Sequence, residues 1–195
     1  MRAGIALLAD DVFQQKFQER HDAICRDTAL MPDNHGFWPH VSLKLPFVTD
    51  DLVGVKAYFQ EFAVTVPPMT LTLTGLDLWT MPAGDGGSGI LFLNVANQDA
   101  LHVLHNRINQ ELAVRFDNTQ APFDGAEFHF HLTLTAGGAP AEVYRRILET
   151  ERRHWPTTAC RIKALWLAFH DETAPEKGWQ SGGMHPLEVS AVKTI

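Results

Sequence analysis

Apolar and polar positions along this chain fall into short blocks, and the order of the blocks runs through twice. Gly4–Ala9 is an apolar run of strand length. Asp10 then stands as a helix cap ahead of Phe13, Phe17 and Ile24, which recur at helical spacing. After the turn-rich stretch Pro32 to Gly36, the β-branched and aromatic segment Phe37–Leu45 predicts a second strand that ends at Pro46. Thr49 or Asp50 can cap a helix striped by Leu52, Val55, Phe59 and Phe62. Pro67 and Pro68 stop it before Met69–Trp79, where Thr alternates with Leu as in a strand. The first half therefore predicts β-α-β-α-β.

A Gly-rich connection, Pro82 to Ser88, precedes the strand Ile90–Ala96 and a helix carrying Leu101, Leu104, Ile108 and Leu112 on one face. Glu127–Ala136 reads as a strand, Pro140 as a first-turn proline ahead of Val143, Ile147 and Leu148, and Cys160–His170 as a strand alternating around Trp166. His40 to His131, Thr49 to Pro140 and Met69 to Cys160 are each separated by 91 positions (131 − 40 in the first case). These spacings predict one α+β domain over residues 1–195, made of two duplicated halves, about 1–80 and 89–170, that form lobes about a rough two-fold axis. Antiparallel-rich sheets would border a central cleft with helices outside, and a final strand or hairpin would fill 177–192. The connection 84–89 reads as a link between the lobes rather than a phosphate loop, since no Gly-Lys-Ser/Thr follows it.

Composition narrows the function. The chain has 195 residues, 45% of them hydrophobic, which is enough for one substantial core. A net charge of −7 argues against gripping long nucleic acid through the overall field, so an anionic substrate must meet a local pocket. Arg145, Arg146, Arg152, Arg153, Arg161 and Lys163 form the one basic concentration and read as a solvated face. Cys25 and Cys160 alone indicate neither a disulfide framework nor a thiolate metal site, and they fit a reducing, cytoplasmic setting. The short apolar stretch Ala3 to Ala9 predicts neither a membrane span nor a signal peptide.

The candidate chemistry sits on the second strand of each half. Strand alternation puts Trp38, His40, Ser42 and Lys44 on one face, and His129, His131, Thr133 and Thr135 on one face of the repeat. Of the ten histidines, only His40 and His131 have Ser or Thr two residues later, and both occupy the same place in the repeat. Matched imidazoles across a cleft suit acid/base work on a phosphoester, because one group must take a proton while another gives one. Lys44 is expected to add charge to that pocket, and Trp38 and His129 to stack on a base or wall the cleft. His102 and His105 read as surface residues beside their helix stripe.

Pro39 to Phe47, Pro-His-Val-Ser-Leu-Lys-Leu-Pro-Phe, and His131 to Leu134, His-Leu-Thr-Leu, resemble the two signature motifs of the 2H phosphoesterase superfamily, which includes RNA 2′,3′-cyclic phosphodiesterases and 2′-5′ RNA ligase-like proteins. The resemblance implies a bilobal α+β fold, His40 and His131 as catalytic residues, Ser42 and Thr133 as phosphate-binding hydroxyls, and no metal or other cofactor. The first motif has Ser where the family often has Thr, which keeps the hydroxyl. The implied partner is a small cyclic nucleotide or an RNA terminus, with no membrane. Two other readings stay open: a non-catalytic binder of a nucleotide or RNA end, and a metal-dependent enzyme built on His129 and His131, whose same-face spacing suits a metal pair.

Overall fold

The computed structural model describes residues 1–28, 30, 38–80, 89–96, 99–137 and 139–187. Its elements run β1 (Arg2–Ala9), α1 (Asp11–Thr28), β2 (His40–Val48), α2 (Leu52–Ala63), β3 (Thr70–Thr80), β4 (Gly89–Ala96), α3 (Asp99–Arg115), β5 (His131–Gly137), α4 (Ala141–Glu151), β6 (Thr158–His170) and β7 (Trp179–Pro186). The order β-α-β-α-β occurs twice, as the periodicity predicts. The expected connection at 84–88 and the end of the 177–192 segment lie outside the described residues.

Local chemistry explains most boundaries. Asp10 caps α1 by accepting from the Phe13 N–H at 2.9 Å. Asp51, rather than Thr49 or Asp50, caps α2 by accepting from the Gly54 N–H at 2.7 Å. Thr49 instead receives the Asp51 N–H at 3.1 Å, so it braces the cap. Pro46 does not end β2. Two residues, Leu45 and Pro46, oppose Gly4 alone between the pairs Ala3↔Phe47 and Ile5↔Lys44, so the missing N–H falls in a bulge and costs no ladder bond. The border of the strand expected from Glu127 also moves: residues 125–128 form a turn closed by Phe128 N–H to the Gly125 carbonyl at 3.0 Å, residues 128–130 have no regular structure, and β5 starts at His131.

All strand pairings are antiparallel, and the strands join in the order β1-β2-β5-β4-β3-β6-β7. A further pairing of β1 with β6 closes the first six into a ring. This topology corrects the expected division into lobes. Each half gives its third strand to the other half's sheet: β3 lies beside β4, and β6 lies between β1 and β7. Within the one seven-stranded sheet, the group β1, β2, β6 and β7 joins the group β3, β4 and β5 through four pairs between β3 and β6, and through Val41↔Leu132 between β2 and β5. Val41↔Leu132 and Thr70↔Arg161 each join residues 91 positions apart (132 − 41 and 161 − 70), so the two-fold axis of the repeat passes through both crossings.

One continuous apolar cluster lies between the strands and the helices, drawing on Ile5, Leu7, Val41, Leu43, Leu91, Leu132 and Leu165 and on α1 to α4. A smaller cluster, Ala6, Leu8, Ala164, Trp166 and Ala168 with Trp179 against it, covers the opposite face of β1 and β6. Gly89 opens β4 beneath the ring of Tyr144 on α4, where a Cβ would lie 2.4 Å from Tyr144 Cδ2. Gly89→Ala is therefore expected to lose about 1–3 kcal/mol of stability in denaturant unfolding, since a fully buried ring has no room to step aside. A change below about 0.5 kcal/mol, the ordinary range of surface substitutions, would contradict this packing. Among the described residues, no helix is long and apolar enough to cross a membrane.

Candidate active site

The single β2–β5 bridge sets the site. In an antiparallel pair, stepping one residue each way from Val41↔Leu132 puts His40 in register with Thr133 and Ser42 in register with His131. Each imidazole thus stands across from the other repeat's hydroxyl. Val41 and Leu132 point into the core, so the four flanking side chains point to the cleft face.

Both rings are held the same way. His40 Nδ1 lies 2.8 Å from the Trp38 carbonyl, and His131 Nδ1 lies 2.8 Å from the His129 carbonyl. A carbonyl only accepts, so each Nδ1 carries the proton, and in the neutral ring the lone pair is on Nε2. Burial holds His40 below the ordinary imidazole value of 6.5; the Trp38 carbonyl opposes this, and a charge on His131 adds to the lowering. His131 is lowered by burial as well, opposed by the His129 carbonyl and assisted by charge on His129. The two motif histidines are thus close enough for charge on His131 to oppose protonation of His40.

Both native values lie below the unfolded value, so unfolding takes up protons as pH falls through 6.5. Stability is then fully present above pH 6.5 and is lost toward the folded values. Replacing both rings, His40→Gln and His131→Gln, is expected to flatten that decline in urea midpoints measured across pH. An unchanged slope would contradict the lowering.

A cavity of about 610 Å³ is lined by Trp38, His40, Ser42 and Thr133 together with Trp166, Ala168 and Trp179. His131 is not among the lining residues; its ring lies 4.6 Å from Trp79 and 5.2 Å from Phe92 between centroids, edge-on to both. Trp38, 44% exposed, packs on Trp166 with ring centroids 5.5 Å apart and planes tilted by 34°, and the Trp166 indole N–H donates to Ser181 Oγ at 3.1 Å. The tryptophan end of the cavity is therefore an aromatic wall beside His40. Sequence reading missed Trp166 and Trp179 as part of the site. The signal was present: Trp166 shares a strand face with the small residues Ala164 and Ala168, while Leu165 and Leu167 fill the core.

Other expectations are corrected. Lys44 borders the cavity with His40 and Ser42, but its ammonium does not share their face. Ile5 pairs with Lys44 and Ala6 with Ser42, so Leu43 is an extra residue that turns Lys44 onto the helix side. There its ammonium, with the side chain 0% exposed, pairs with Asp124 and donates to Asn109 Oδ1 at 2.7 Å. His105 is buried rather than on the surface, and its Nδ1 lies 2.7 Å from the Leu43 carbonyl. His129 is not equivalent to Trp38 in surroundings: it packs against Trp79 and Phe92, and its Nδ1 is buried without a hydrogen-bond partner. His21 of α1 lines the cavity with Gln18 and lies 3.7 Å from Cys25 Sγ. Arg145, Arg146, Arg152, Arg153 and Arg161 are exposed and Lys163 pairs with Asp11, and none of them lines the cavity. Among the described residues, no three His, Cys, Asp or Glu side chains converge as metal ligands.

A family model for the 2′-5′ RNA ligase superfamily matches residues 13–174, so the chain belongs to that superfamily, the 2H phosphoesterases. No curated protein matches it in sequence. Among solved structures, TT0787 of Thermus thermophilus is similar over 96% of this chain and 98% of its own, with TM-score 0.60 and 17% identity. LigT of E. coli, complexed with 3′-AMP, is similar over 95% of this chain and 97% of its own, with TM-score 0.54 and 16% identity. Usb1 of Kluyveromyces marxianus covers 96% of this chain and 98% of its own, with TM-score 0.51 and 12% identity. At these identities the likeness is one of fold, and it agrees with the α+β architecture of four α-helices and a seven-stranded antiparallel sheet among the described residues.

Proposed function

We propose that this chain is a phosphoesterase that opens small cyclic phosphodiesters, such as a 2′,3′-cyclic nucleotide or a cyclic RNA end, with His40 and His131 as acid and base and without a metal. The observation that carries this reading is the matched fixing of both rings by the carbonyl two residues upstream, either side of the one β2–β5 bridge. In the forward direction a neutral ring accepts the proton of water at Nε2 as the water oxygen attacks phosphorus. The other ring, protonated, gives its proton to the ribose oxygen as the P–O bond breaks. The Ser42 and Thr133 hydroxyls donate to the non-bridging oxygens, where charge builds in the transition state. With the 5′-hydroxyl of a second RNA end in place of water as the nucleophile, the same two proton transfers break the bond from phosphorus to the 3′ oxygen and leave a 2′-5′ linkage. Trp38 stacks on the base. The buried free thiols Cys25 and Cys160 suit a reducing, cytoplasmic setting.

The test is a panel of 2′,3′-cyclic mononucleotides, short RNAs with cyclic ends and ADP-ribose 1″,2″-cyclic phosphate, assayed with chelator present. Turnover that survives the chelator supports the reading, and binding without hydrolysis of any member overturns it in favour of a nucleotide-binding protein.

The pH dependence follows from the lowered imidazoles. As pH rises through and beyond the lowered values, the protonated partner disappears, so kcat/KM should peak below pH 6.5 and decline through neutrality. A bound phosphodiester anion favours the protonated ring, so the kcat profile should peak at a higher pH than kcat/KM. A kcat/KM profile still rising above pH 6.5 would rule out the lowered pair as the free enzyme's acid and base.

A further inference from the structure

The strands that bear His40 and His131 are joined to each other by a single backbone pair, Val41↔Leu132. So little ladder leaves their separation poorly determined by the sheet itself. On the helix side, however, a closed polar circuit starts and ends on β2. The His105 ring donates from Nδ1 to the Leu43 carbonyl at 2.7 Å, and its Nε2 accepts from Asn109 Nδ2 at 3.1 Å. Asn109 Oδ1 accepts from Lys44 at 2.7 Å, and Lys44 pairs with Asp124. The donors and acceptors in this circuit fix the His105 tautomer and the Asn109 orientation without ambiguity.

Asp124 carries the circuit to the other strand. It accepts from the Ala121 N–H at 3.1 Å, which folds the turn around it, and the next residue's carbonyl takes the Phe128 N–H at 3.0 Å. Phe128 stacks on His105 with ring centroids 4.3 Å apart and 21° between planes. The segment then passes through His129, whose carbonyl orients His131, into β5. Lys44 thus stands two residues beyond Ser42, and Asp124 stands in the segment that delivers His131. In the other repeat the place of Lys44, 91 positions on, holds an uncharged residue, Thr135 (135 − 44).

We propose that the buried Lys44–Asp124 pair, with Asn109 and His105, sets the spacing of the two histidine-bearing strands, making Lys44 and Asp124 positioning residues for the site. This rests on the phosphoesterase reading for its kinetic consequence, and on the fold alone for its spectroscopic one. The two imidazoles must address one phosphorus, and a misplacement of about 1 Å can cost about 10²-fold in rate.

The test is the Lys44→Met/Asp124→Leu double variant, which removes both charges together and replaces them with apolar volume. Two readouts are taken on the intact chain: kcat and KM on the best substrate of the panel, and the NMR titration of the His40 and His131 Cε1 protons. The expected result is a folded protein with kcat down about 10²-fold and KM little changed. The His40 titration should move up toward the ordinary imidazole value as charge on His131 ceases to oppose it. Unchanged kcat and unchanged titrations in the folded variant would reduce the pair to a stabilising contact and overturn the proposal. Should the double variant not fold, Asp124→Asn, which keeps volume and an acceptor for Lys44, is read by the same two measurements with the same deciding outcomes. If the wild type turns over nothing in the panel, the phosphoesterase reading fails, and the imidazole titrations decide the positioning role by themselves.

Discussion

His40→Ala and His131→Ala are each expected to slow turnover of an accepted cyclic phosphodiester by about 10²–10⁴-fold in kcat, with KM little changed. The asymmetry between kcat and KM follows from what remains in each variant. Ser42, Thr133 and the tryptophan wall still line the cavity and, on the proposed reading, would still hold the phosphate and base, while the proton that must be taken or given would have no carrier. The effects should not multiply. A single displacement needs one proton removed and one delivered, so once either ring is gone the other has little left to contribute. The double variant is expected to be only slightly slower than the worse single one. Losses that multiply would show that the rings serve separate steps, and a loss in KM alone would make them binding residues.

The second large effect concerns stability. Lys44→Met alone, or Asp124→Ala alone, is expected to cost about 3–5 kcal/mol, because each leaves the other charge buried without its partner. For a chain of this size that corresponds to a fall of about 6–20 °C in Tm. Burial already pulls the Lys44 ammonium below its ordinary value while Asp124 holds it up, and Asp124 Oδ1 is already without a hydrogen-bond partner, so neither group has reserve. Removing both charges together should recover most of the loss, since apolar replacements of a buried pair are often neutral. Single variants within about 1 kcal/mol of the wild type, the range of exposed ion pairs, would mean that water reaches the pair.

The histidine pair and the lysine pair illustrate two kinds of legibility. His40 and His131 could be found in the sequence because the repeat placed the same short motif twice at a fixed offset, and because strand periodicity assigns a face to each residue. Lys44 was assigned the wrong face by the same rule. Period-two counting assumes an unbroken ladder, and the extra residue at Leu43 reverses the face at Lys44 until the second bulge, at Leu45 and Pro46, returns Phe47 to the core side. His105 was missed for a related reason: a polar residue flanking an apolar helix stripe reads as surface until a carbonyl such as that of Leu43 is brought against it. Asp124 carried no local signal, since its meaning comes from a lysine 80 positions away.

The order of residues was sufficient for the inventory: the elements and their doubled succession, the family motifs, and the two imidazoles with their hydroxyls. Local periodicity and short motifs contain that information, because neighbouring residues along a strand or helix fix one another's direction. Partnership came only with the folded arrangement. Folding exchanged the third strands between the halves, left one backbone pair between the two histidine strands, and closed the gap behind them with a buried ion pair. Those outcomes depend on which strand edges and which charges meet across long stretches of chain, where closure of the sheet and desolvation of charge outweigh any preference written in neighbouring residues.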